Sequence, residues 1–126
     1  MAVRYHVIER HNPRDLEAPR KFYPMLKTSG RTRTRQLAAE MSERSTVSIG
    51  DMLVTLEGML STIPKELANG NIVDLGDFGT FKLQVKTEGA SSVDEITSKH
   101  IHHISVRFTP GQAFKDALGK VEFVKE

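Results

Sequence analysis

Three arginines stand at alternate positions in TSGRTRTRQ: Arg31, Arg33 and Arg35. In an extended chain alternate residues share a face, so the three guanidinium groups line up there, with the hydroxyls of Thr32 and Thr34 between them. A guanidinium stays charged, and its planar fork donates two parallel hydrogen bonds to a phosphate. A helix starting near Thr32 or Thr34 adds partial positive charge at its N-terminus. The pattern suits contact with a phosphate backbone. The competing reading is an exposed loop kept soluble by its arginines.

A second cluster is HIHH, with His100, His102 and His103. On a strand, His100 and His102 share one face and His103 points away. Two imidazoles hold a metal weakly, and no carboxylate stands at matching spacing. The three therefore read as polar histidines of an exposed strand, able to gain charge in mild acid and add to the binding of an anion. The third candidate is VDLGDFGTFKL, Val73 to Leu83. Gly76 and Gly79 lie between two strand-like runs, no helix follows to hold a pyrophosphate, and no Gly-Lys-Ser/Thr sequence occurs. The stretch reads as a turn in which glycine supplies positive φ. No nucleophile elbow or paired carboxylates stand out, and there is no cysteine. The expectation is a non-enzymatic protein with no cofactor, no metal and no small-molecule substrate.

Charge is divided unevenly along the 126 residues. Residues 1–44 hold ten Lys/Arg against five acids, and the remainder holds eight against eleven, which leaves the net charge of +2. A basic half points to an anionic partner, nucleic acid first. No apolar run approaches the ~18 residues of a membrane helix, and the first residues carry no signal-peptide pattern. The expectation is therefore no membrane and a cytoplasmic location. A core built from 38% hydrophobic residues without Trp is modest, and dimerisation would enlarge it.

Hydrophobic periodicity gives the elements that must position these residues. VRYHVIER alternates as a strand. RKFYPMLKTS reads as a second strand, and Pro24, lacking an N–H, assigns it to an edge or bulge. A short helix starts near Thr32 or Thr34, with Leu37, Ala38 and Met41 on its apolar face. Ser48 and Asp51 form a capping-box-like start to a longer helix whose stripe is Met52, Leu56, Met59, Leu60, Ile63 and Leu67. Pro64 is expected to kink it or end its regular part, and Gly70 to stop it in a left-handed conformation. Strands around Val73–Val85 and Lys99–Phe108 follow, separated by a polar tip. Thr109 and Pro110 are placed at the start of a last short helix, ended by Gly119. VEFVKE is a closing strand or a loose tail. The order implies an α+β fold with an antiparallel sheet.

From Leu37 onward this order resembles the HU and integration host factor family of bacterial DNA-bending proteins. ELANGNIVDLGDFGTF, Glu66 to Phe81, and RFTPGQAFKDAL, Arg107 to Leu118, carry the likeness, which covers about 80 residues. The resemblance implies an HU-like fold with two N-terminal helices, a three-stranded antiparallel sheet with a protruding β-arm, and a C-terminal helix. It would occupy residues 31–126, with an N-terminal β-strand extension over 1–30. That extension is similar to the divergent HU-like proteins of Bacteroidetes-type bacteria. The resemblance further implies an intertwined homodimer, a nucleoid-associated histone-like protein whose arms grip double-stranded DNA through its minor groove. In the family phosphate contact and bending energy dominate and base readout is slight.

The likeness stops at the arm. The family wedges a tip proline between base pairs, yet no proline occurs between Lys82 and Arg107. Gln84 and Gln112 stand where the family commonly has basic residues, while Lys86 and Lys115 keep basic ones. The arm's Lys82, Lys86, Lys99 and Arg107 face Glu88, Asp94 and Glu95, so few phosphates are neutralised and the salt dependence should be shallow. The expected contacts are Arg31, Arg33, Arg35, Lys82, Lys86, Lys99, Arg107 and Lys115. The alternative is a structural or protein-interaction module that keeps the scaffold with weak or lost DNA binding.

Overall fold

The computed structural model describes Met1–Glu126 throughout. The chain forms three α-helices and two three-stranded sheets. It divides into two compact units, Thr34–Asp116, and Met1–Arg33 together with Ala117–Glu126.

In the Thr34–Asp116 unit, helix α1 (Thr34–Glu43) packs on helix α2 (Ile49–Ala68). The contact is close because Ala38, the fully buried residue of α1, has no bulk beyond Cβ. Ser48 caps α2 as its position suggests, its hydroxyl accepting from the Asp51 amide at 3.2 Å. Pro64 does not end the helix, which runs four residues further to Ala68. Termination comes from Gly70, at φ +89°. Its amide donates to the Leu67 carbonyl and that of Asn71 to the Glu66 carbonyl, the paired bonds by which a left-handed residue satisfies the last helical acceptors.

The chain then forms β3 (Val73–Asp74), a 3₁₀ turn over Gly76–Phe78, and β4 (Gly79–Thr87). Gly76 and Gly79 take φ of +64° and +147°, so VDLGDFGTFKL is a turn within a sheet. Gly79 has a second constraint, since a Cβ there would lie 2.5 Å from the Thr109 carbonyl oxygen and 2.7 Å from the Phe108 ring. The polar segment after β4 carries 3₁₀ turns at Val93–Glu95 and Ser98–His100. Strand β5 (Ile101–Pro110) returns antiparallel to β4, giving the order β3-β4-β5.

The last helix, α3 (Gln112–Leu118), begins later than its sequence implies. Thr109 and Pro110 belong to β5, paired with Thr80 and Gly79. Gly111 intervenes, its amide donating to the Phe78 carbonyl at 2.9 Å, with the Asp77 backbone where a Cβ would project. The ladder claims these residues before the helix can start. Phe78, Phe81, Phe108 and Phe114 then form one cluster. Phe108 lies 4.8–5.5 Å between centroids from each of the other three rings, within the range of favourable aromatic pairing.

The second unit holds β1 (Ala2–Arg10), β2 (Lys21–Leu26) and β6 (Glu122–Lys125), in the order β2-β1-β6. Pro24 is on β2, an edge strand, where its missing N–H costs no ladder bond on the outer side. The end of the sequence is a strand, parallel to β1 with Val3 opposite Phe123. Lys27 and Glu126 form an ion pair beside it. No helix of the chain is long and apolar enough to cross a membrane.

Candidate nucleic-acid interface

The β4–β5 ladder separates apolar from polar side chains by its register. Phe81 pairs with Phe108 and Leu83 with Val106; on the opposite face Lys82 pairs with Arg107 and Gln84 with Ser105. Cross-strand partners share a face, with Cβ atoms ~5 Å apart. Two residues 25 positions apart in sequence, Lys82 and Arg107, therefore become one exposed basic pair. On the apolar side Phe81, Leu83, Ile104 and Val106 line a cleft of about 600 Å³ with Leu60 and Leu67 of α2. The sheet thus turns its apolar face to α2 and its basic face away.

One irregularity extends the basic face. Between Gln84 and Lys86 there is one residue on β4, Val85, but β5 has two between Ser105 and His102, namely His103 and Ile104. This is a β-bulge. Its extra residue, His103, has φ +53°, the single positive φ outside glycine, and histidine is among the non-glycine residues that tolerate this region best. Strict alternation along β5 would put His102 on the apolar face with Ile104, Val106 and Phe108. The bulge instead sets His102 opposite Lys86, on the face of Lys82 and Arg107. His102 Nε2 is shielded from solvent and lies 3.3 Å from Glu88 Oε1, in ion-pair range but without hydrogen-bond alignment.

The other expected contacts are dispersed. Lys99 lies in the Ser98–His100 turn, Lys115 on α3 and Arg35 in the first turn of α1, all exposed. Arg31 and Arg33 lie outside regular structure in the other unit. Because α1 begins at Thr34, the extended alternation stops before Arg35, which follows helical geometry. His100 is not on the strand: its ring Nδ1 accepts from the Thr97 amide at 3.1 Å in a small capping box. The shared strand face imagined for His100 and His102 does not form. No three His, Asp or Glu side chains come together as a metal-binding group. His102 is the residue that alternation alone misplaced. The signal for it, a non-glycine left-handed residue inside a strand, is conformational and has no sequence pattern.

The family model HU-HIG, described as an HU domain fused to wHTH, Ig, or glycine-rich motif, matches residues 1–125. No curated protein matches the sequence. Among solved structures, the chain is similar to a crystal structure described as a "Putative bacterial DNA binding protein" from Bacteroides vulgatus ATCC 8482. The TM-score is 0.67 at 16% identity, over 98% of this chain and 47% of that one, so this chain spans about half the length of its solved neighbour.

Proposed function

This chain belongs to the HU-HIG family, and we propose that it is a non-enzymatic protein binding double-stranded DNA, with little sequence preference, through the basic face of β4–β5. The observation that carries the reading is the ladder register. It joins Lys82 to Arg107 and Lys86 to His102 on one face while the other is apolar. Cations in a row along a two-stranded ribbon suit phosphates, which fix position without reading bases. The name of the Bacteroides neighbour agrees with this reading. Residues 31–126 would be the HU-like domain and residues 1–30 its extension. Lys99, Lys115 and the arginines Arg31, Arg33 and Arg35 would contribute further phosphate contacts. The protein would act at the nucleoid and bend DNA only modestly, because no proline at the tip can wedge between base pairs.

A homodimer accompanies this proposal. Only Ala38 and Leu67 are buried apolar residues, while Leu60, Ile104 and Val106 at the α2–sheet cleft are 49%, 74% and 55% exposed. A second copy seated there would complete the core. Light scattering should give twice the chain mass of 14.1 kDa at micromolar concentration, and a clean monomer would contradict the shared core.

Fluorescence anisotropy of a labelled random duplex, titrated at several salt concentrations, tests DNA binding. The logarithm of affinity should fall linearly with the logarithm of salt, by about 0.9 per phosphate neutralised. Absence of binding at about 50 mM salt, where phosphate contacts are strongest, would rule it out. One observation favours a second reading. From Lys82 to Arg107 four basic residues face three acids, Glu88, Asp94 and Glu95. A scaffold that has lost DNA binding would give a stable dimer and no anisotropy change.

A further inference from the structure

The bulge at His103 has a consequence for binding. We propose that it makes His102 an acid-strengthened phosphate contact, held in reserve by Glu88; the proposal rests on the ladder face being the DNA-binding face.

Three observations support it. First, the bulge alone moves His102 from the apolar to the basic side of the ladder, opposite Lys86. A left-handed backbone is uncommon outside glycine, so the register is held by the conformation of one residue, His103. Second, His102 Nε2 is withdrawn from water with no hydrogen-bond partner, 3.3 Å from Glu88 Oε1. A polar nitrogen so placed gains from any well-aligned acceptor. Third, Glu88 is mostly exposed, at 68% for its side chain, and is free to swing away. Its carboxylate shares charge sign and acceptor chemistry with a phosphate.

The charged groups facing His102 are Lys86 and Glu88 across the ladder and Lys99, His100 and His103 near it in its own chain segment. The His100 ring is engaged by Thr97, and the His103 ring centroid is 6.3 Å from that of His102. Glu88 is the acid paired with His102. With the imidazole neutral, Glu88 presents only repulsion to an approaching phosphate. With it protonated, the pair is neutral overall, and a phosphate displacing Glu88 gains a charged donor.

The test is duplex affinity against salt at about pH 6 and about pH 8, the interval over which histidine ordinarily changes charge. The proteins are the wild type, His102→Gln, Glu88→Gln and the double variant. One added phosphate contact predicts a wild-type salt slope steeper at the lower pH by about 0.9, and His102→Gln removes that increment. Glu88→Gln should strengthen wild-type binding more at the lower pH than at the higher, and this pH-dependent part should vanish in the double variant. His103→Gly keeps the left-handed position and should preserve the behaviour. His103→Val, which disfavours it, should abolish the pH increment while duplex binding persists. If His102→Gln titrates like the wild type, the proposal fails while general DNA binding stands. If the wild type binds no duplex at either pH, both fail together.

Discussion

The two sheets pair strands with similar regularity but treat their apolar faces differently. In β3-β4-β5 one end of the apolar face is filled by the ring cluster around Phe108, while the rest borders an open cleft against α2 that leaves Ile104 and Val106 74% and 55% exposed. In β2-β1-β6 the register gathers Val3, Tyr5, Val7, Pro24, Leu26 and Phe123 on one face, yet Leu26 and Phe123 remain 61% and 62% exposed. The opposite face of that sheet mixes Ile8, Tyr23 and Met25 with Arg4, His6, Arg10 and Lys21. A sheet whose apolar face is packed at one end by its own unit already distinguishes an inner face from an outer one. A sheet with no helix or ring cluster of its own unit on either face does not. The difference teaches that stability should be concentrated in Thr34–Asp116 and that side-chain deletions in the two sheets should not cost alike.

The strongest way to break that comparison is at Gly79. It combines a φ of +147° with the Thr109 carbonyl and Phe108 ring in the space of a Cβ. Gly79→Ala must either move β5 or adopt a strained backbone, and should cost about 3 kcal/mol. Urea unfolding at fixed protein concentration measures it. An unchanged midpoint would mean that the β4–β5 junction does not constrain the fold.

Next in size is a matched pair of deletions. Phe108→Ala removes a ring in contact with three others and should cost about 3 kcal/mol, the lower end for large core aromatics. Phe123→Ala removes a ring that is mostly in water and should cost less than about 1 kcal/mol. Equal losses in the two urea midpoints would mean that the open face of β2-β1-β6 is covered in solution, and the contrast between the sheets would collapse.

Much of this contrast was legible in the residues. The alternation of Phe81, Leu83 and Val85 with Lys82, Gln84 and Lys86 identifies both faces of β4. Pro24 marks an edge strand, Ser48 a cap and Gly70 a stop, because each changes a local backbone option. Nonlocal choices were not legible. Gly111 delays α3 because of the Asp77 backbone, which lies 34 residues earlier. The last strand depends on pairing with β1 at the opposite end of the chain. His102 changes face because His103 takes a conformation that period-two reasoning assumes away. In each case a partner distant in sequence, or a single unusual φ, outweighs the local pattern.

The smallest expected effect sharpens the same contrast from the open sheet. The Lys27 hydrogen bond is the main influence holding the Glu126 carboxyl below the usual glutamate range. Desolvation opposes it, and the smaller influences of the charges of Lys27, His6 and Arg4 assist. A carboxyl whose folded value is depressed stabilises the fold above its unfolded value, and that contribution is lost as pH falls through the folded one. Both partners are substantially exposed, at 50% and 40% of their side chains, so screening keeps the pair weak. Lys27→Gln should therefore move the Glu126 titration upward toward the ordinary range, as read by NMR of its carboxyl carbon, and leave the urea midpoint of Thr34–Asp116 where it was. A Glu126 titration identical in the two proteins would remove the pair as a fastening of β6. A shift in the midpoint would instead show that the two sheets unfold as a single cooperative structure.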